Sequence, residues 1–168
     1  MTEAALFWLF ALAITVHNIE EGLFLPAFTA SVPRLAEHST PFSFRFALIV
    51  LTGAAYVVVA FAAAGVASAI TLLSGLALVM AINAVAPHLV LTLVFRRYAP
   101  GTATGLFIMT PLSILLIVRN AAGGHLDGHA LAVATISVAV AVIIAIPALI
   151  YTGRVIDRYL PHPTGEAA

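Results

Sequence analysis

The sequence predicts an all-α, polytopic transmembrane bundle of five spans, with the N-terminus outside and the C-terminus in the cytoplasm. Three observations carry this. Hydrophobic residues make up 62% of the chain against 8% charged, with a mean hydropathy of +1.13, which removes it from the soluble class. Five segments approach the roughly 20 apolar residues that a helix needs to cross the hydrocarbon core. Arginines collect on one side of them: Arg34, Arg45, Arg96, Arg97, Arg154 and Arg158 fall on the side assigned to the cytoplasm, and only Arg119 on the other.

The first span is expected from Ala4 to Phe28, with Pro26 and Pro33 loosening it into a loop that holds Arg34, Glu37, His38 and Arg45. The second runs from Ser43 to Ala63. A break near Gly65 leads into a long third span, Ala67 to Phe95. Small residues Ala60, Ala64 and Ser68, with Gly53 and Gly75, are expected to let spans two and three pack closely. Arg96 to Thr102 reads as a turn, with Pro100 and Gly101 at the central positions of type II. The fourth span, Ala103 to Val118, is interrupted by Pro111. A glycine-rich loop holding His125, Asp127 and His129 reads as solvated. The fifth span covers Ala130 to Tyr151. One domain over 1–154 is expected, followed by a disordered cytoplasmic tail over 155–168. Met1-Thr2-Glu3 is acidic and no small-residue cleavage site precedes His17, so no cleaved leader is expected. The location implied is the plasma (inner) membrane, as a multi-pass protein.

Composition also excludes chemistry. The absence of cysteine rules out disulfides, thiolate nucleophiles and Cys-ligated zinc, and the absence of lysine rules out Schiff bases. A formal net charge of zero offers nothing to nucleic acid.

The chemistry is concentrated in His17-Asn18-Ile19-Glu20-Glu21, in the middle of the first span. Ionisable groups at that depth are costly and mark a functional site by default. The nearest arginine in sequence is Arg34, thirteen residues after Glu21, so the usual cationic partner is missing locally. A 100° helical step puts Glu21 about 40° from His17 and Glu20 about 60° to its other side, so all three project from one face.

The third span supplies Asn83 and His88, with Pro87 between them. Proline cannot donate to the carbonyl four residues earlier, which is that of Asn83. In a regular helix Asn83 and His88 stand about 140° apart, and a kink or π-bulge would bring them nearer one face. His88 lies eight residues before Arg96, roughly 12 Å inside the interface. Three segments can thus meet at one cytoplasm-facing cavity: His17 to Glu21, Asn83 to His88, and Tyr98 to Thr104.

His17-Asn18-Ile19-Glu20-Glu21 resembles the signature of the HXXEE domain family, small bacterial and archaeal membrane proteins of unknown function. That family also carries an Asn-and-His motif and a Tyr-X-Pro-Gly-X-X-Thr motif. Tyr98-Ala99-Pro100-Gly101-Thr102-Ala103-Thr104 fits the latter residue for residue. The middle motif departs, since four residues rather than three separate Asn83 from His88, and the resemblance carries over to His88 better than to Asn83. It implies a membrane enzyme of the metal-dependent hydrolase kind, with no substrate named.

Charge counting points to a metal without the family. Two ionised glutamates balance one divalent cation, and two neutral histidines complete four donors of a kind that suits zinc. The expectation is a divalent metal held by His17, Glu21 and His88. Glu20 is the general base, Asn83 and Tyr98 polarise the substrate, and Pro87, Pro100, Gly101 and Thr104 position them. Thr102 or Thr104 is expected to cap the fourth helix. The expected partners are the bilayer and a lipid or membrane-embedded peptide substrate, with a homodimer possible for so small a chain. The competing class is a proton-coupled small transporter or channel that uses the Glu20/Glu21 pair. Against it stand the size and the absence of an internal repeat. A metal-free glutamate hydrolase and an assembly factor are further alternatives.

Overall fold

Residues 1–31 and 40–160 are described by a computed structural model of the chain. Five helices in it are long and apolar enough to cross a membrane: α1, Glu3–Ala30; α2, Pro41–Ala63; α3, Ala67–Phe95; α4, Thr102–Ala122; and α5, Gly128–Tyr159. Pro33, Arg34, Glu37 and His38 of the expected loop lie outside the described residues, as does the 161–168 part of the expected tail.

Each helix starts where its chemistry directs. Thr2 accepts from the Ala5 amide at 3.2 Å and Glu3 sits in the first turn, where a carboxylate complements the helix dipole. α2 opens on a reciprocal capping box between Thr40 and Ser43, with Pro41 in the first turn. Asp127 caps α5 by accepting from the Ala130 amide at 2.7 Å, and it, His125 and His129 are exposed, as a solvated loop requires.

The boundaries differ from expectation where proline was read as a stop. Pro26 sits inside α1, which continues to Ala30. α5 runs to Tyr159, so the tail boundary drawn after residue 154 falls within a helix. α4 extends to Ala122 and, after Thr102–Thr104, passes through a π-helical turn at Gly105–Met109, where the Thr110 hydroxyl satisfies the Gly105 carbonyl at 2.9 Å.

Phe7, Phe10 and Ile14 of α1 pack in the core with Val59 of α2, Leu73 of α3, and Met109 and Leu116 of α4. α5 lies against α2 and α3 and buries only Ala134 and Gly153. Its remaining apolar surface, such as Ile136 and Ile143, is exposed and suits hydrocarbon. The expected small-residue seam is corrected. Ala60, Ala64, Ser68 and Gly53 are exposed, and Gly75 instead admits α5, since a Cβ there would lie 2.6 Å from the Ala134 carbonyl carbon. Small buried residues of α2 and α3 include Ala47, Ala55, Ala62, Ala69 and Ala77.

α3 is not continuous. Ala86 has φ −127° and ψ 109°, an extended conformation forced on the residue before a proline. Past this kink the helix resumes and ends at Arg96 in the left-handed region (φ 49°). The connection to α4 contains the expected type II turn. Thr102 N–H donates to the Ala99 carbonyl at 3.1 Å, and Gly101 has φ 93° and ψ −17°. A closed ring of hydrogen bonds pins it. Ala99 N–H donates to Thr92 Oγ1 (3.0 Å), Thr92 to Thr102 Oγ1 (2.8 Å), and Thr102 to the Ala99 carbonyl (2.6 Å).

Candidate functional site

Helical spacing alone brings His17 and Glu21 together, with Nε2 3.4 Å from Glu21 Oε1. The kink in α3 adds His88, whose Nε2 lies 2.7 Å from the same oxygen. Two imidazoles therefore flank one carboxylate oxygen, with ring centroids 5.3 Å apart and planes at 89°. All three side chains are buried, and one ligand atom from each lies within 4.8 Å of the others. Among the described residues neither glutamate has an arginine within ion-pair distance. Arg45 reaches this level from α2 but donates to the Gly22 carbonyl at 2.9 Å.

The other glutamate faces a different way. Glu20 accepts from the Tyr98 hydroxyl on Oε1, and on Oε2 from the Thr104 hydroxyl at 2.6 Å and the Thr104 amide at 3.4 Å. Tyr98 also accepts from the Ala103 amide at 3.1 Å. Partial burial, and then the Glu20 carboxylate, hold its phenol above the ordinary value, so Tyr98 remains a donor at neutral pH.

Thr104 joins the two halves, because its Oγ1 is also 2.9 Å from His17 Nδ1. An ionised carboxylate only accepts, so the single hydroxyl hydrogen of Thr104 is committed to Glu20. The contact with His17 then requires Nδ1–H to donate. A neutral His17 is thereby fixed in one tautomer, with the Nε2 lone pair aimed into the cluster. That Nε2 is buried and has no hydrogen-bond partner among the described residues. A lone pair facing a carboxylate oxygen is repulsive unless a proton or a cation lies between them. His17 is thus oriented through its other nitrogen by the Thr104 hydroxyl, which is itself bonded to the Glu20 carboxylate.

The turn supports His88 from the far side. Gly101 lies against its ring, and a Cβ there would stand 2.6 Å from Cε1 and 2.7 Å from Nδ1. No larger residue fits, and the positive φ independently favours glycine. Gly101 thus packs against the ring as well as forming the turn with Pro100.

His17, Glu20, Glu21, His88, Tyr98 and Thr104 are therefore brought together. Asn83 is not: it is half-buried, and its amide makes no hydrogen bond to any described residue. The kink turns His88 inward without carrying Asn83 along. Sequence reasoning undervalued Thr104. Neither it nor Thr102 caps α4, whose N-terminus has no side-chain cap. Thr92 was missed altogether, although a lone hydroxyl in the run Val90 to Phe95 was a usable signal. Thr110 serves the backbone, whereas Ser113 Oγ is buried without a partner among the described residues.

A bundle of apolar helices enclosing a buried His-Glu-His cluster defines a class of helical proteins with membrane-spanning character and an internal ionisable site. Residues 8–116 match the family model described as protein of unknown function with HXXEE motif, and the chain belongs to that family. It is similar to the uncharacterized protein YrkK of Bacillus subtilis (strain 168), at 33% identity over 86% of this chain and 92% of that one. No solved structure matches the chain.

Proposed function

We propose that the chain is an intramembrane metal-dependent hydrolase acting on a lipid or membrane-embedded peptide from the cytoplasmic side. His17, Glu21 and His88 would hold one divalent cation. The observation that carries this reading is the convergence of two imidazoles on one carboxylate oxygen, with the His17 Nε2 lone pair held toward it and otherwise unpartnered. Two nitrogens and one oxygen suit zinc, and three protein ligands are what a catalytic site retains when one position is kept for water or substrate. The metal would supply Lewis acidity and a means of activating water near neutral pH. Glu21 balances its charge, and Thr104 with Glu20 orients His17. Glu20 borders the groove described below and serves as base, and Tyr98 would turn the hydrogen it now donates to Glu20 toward a developing oxyanion.

Metal analysis of gently purified protein tests this. Wild type should carry about one divalent ion per chain. His17→Ala and His88→Ala should each lose it, since removing one of three or four ligands sharply lowers occupancy. Glu20→Gln should lose turnover far more than it loses metal. Wild type free of metal in unchelated buffer would refute the reading and favour a proton-coupled transporter.

A further inference from the structure

Beside the site an open groove of about 760 Å³ runs between α1 and the segment from Arg97 to Thr104. Its α1 wall is Val16, Ile19, Leu23, Phe24, Ala27 and Phe28, with Glu20 among them. These positions follow the i, i+3, i+4 rule and form one stripe. From Val16 to Phe28 the stripe is about 18 Å long at 1.5 Å per residue. One leaflet of hydrocarbon is about 15 Å deep, half of the roughly 30 Å core. The groove therefore matches a single leaflet.

Its two ends differ. Val16 lies near the middle of α1, at the apolar end. At the other end Arg97 stands with its guanidinium 5.6 Å from the Phe28 ring centroid and one N–H donating to Ser31 Oγ at 3.1 Å. Arg97 immediately follows the end of α3, at the level where headgroups would lie. A guanidinium has five donors, so among the described residues most of its hydrogen-bonding capacity remains after the Ser31 contact.

We infer that this groove binds one acyl chain of an anionic phospholipid, with the phosphate on Arg97. An extended peptide fits it poorly. Peptide N–H and C=O groups need partners in a water-free setting, and the other polar lining groups, Glu20, Tyr98 and Thr104, are bonded to one another. An acyl chain makes no such demand. On the hydrolase reading, which this extends, the substrate class is lipid; the binding itself does not depend on that reading.

The test uses the full chain in phosphatidylcholine bilayers. Trp8 is the sole tryptophan, so Trp8→Phe with Phe24→Trp gives a reporter inside the groove. At equal mole fraction, phosphatidylglycerol brominated on its acyl chains should quench it with about fivefold preference over brominated phosphatidylcholine, as expected for one basic residue at an anionic headgroup. Arg97→Gln should abolish the preference and Arg97→Lys should retain it. A reporter at the exposed α5 position, Ile143→Trp in Trp8→Phe, should show none. Equal quenching by both lipids, or a preference that survives Arg97→Gln, would overturn the inference. So would loss of the preference in excess inorganic phosphate, which would make Arg97 a free-phosphate site. Quenching by neither lipid, with an apolar peptide shifting the reporter's emission, would assign the groove to peptide. No metal or turnover is needed, so this result and the metal analysis can fail independently.

Discussion

Replacing Thr104 by valine keeps the shape of the side chain and removes only the hydroxyl between His17 Nδ1 (2.9 Å) and Glu20 Oε2 (2.6 Å). Such a swap is isosteric but not neutral. Left buried without a partner, the Nδ1–H group costs about 1–3 kcal/mol. His17 can escape that cost by moving its proton to Nε2 and donating to Glu21, which is only 3.4 Å away. The escape removes the lone pair that the proposed cation would use. On the proposed metal reading, Thr104→Val should therefore weaken zinc binding by about 10- to 100-fold, the usual range for losing an orienting partner of a ligating histidine, which is about 1.4–2.7 kcal/mol. Thr104→Ser should restore most of it. Competitive chelator titration measures the affinity, and nitrogen-15 NMR of labelled histidine reports which ring nitrogen carries the proton. Unchanged affinity with an unchanged tautomer in Thr104→Val would refute the relay. Failure of serine to outperform valine would reduce Thr104 to packing.

Two further outcomes rest on the turn and on the arginines. Gly101→Ala combines a positive φ of 93° with a Cβ 2.6 Å from the His88 ring; left-handed backbone alone costs a non-glycine residue about 1–2 kcal/mol, so a thermal melt should show lower stability and metal analysis lower occupancy, and normal values for both would mean that the turn does not hold His88. Reporter fusions after Arg97 and after Arg158 should read as cytoplasmic and one at Gly124 as external, and a cytoplasmic signal at Gly124 would sink the N-out, five-span topology.

The part of the site legible in the sequence is the part that local geometry dictates. Helical periodicity alone makes residues 17 and 21 neighbours, and the Pro100-Gly101 pair alone specifies a type II turn, because both follow from backbone sterics over a few residues. Five helices long and apolar enough to cross a membrane were equally legible, since hydropathy over some twenty residues is a local sum. Proline misled at position 26: an apolar run can carry a helix through the loss of one hydrogen bond, so proline there did not end the span. Tertiary structure decided what joins the spans. Only the bend at Ala86 determines that His88, rather than Asn83, turns inward to the oxygen that His17 faces. Only the return of the chain along α1 places the Thr104 hydroxyl between His17 and Glu20, residues 87 and 84 positions away. That contact gives the adjacent glutamates different tasks, one inside the cluster and one orienting it from the groove. Adjacency in sequence could not separate them, because the distinction lies in which distant donor reaches each carboxylate.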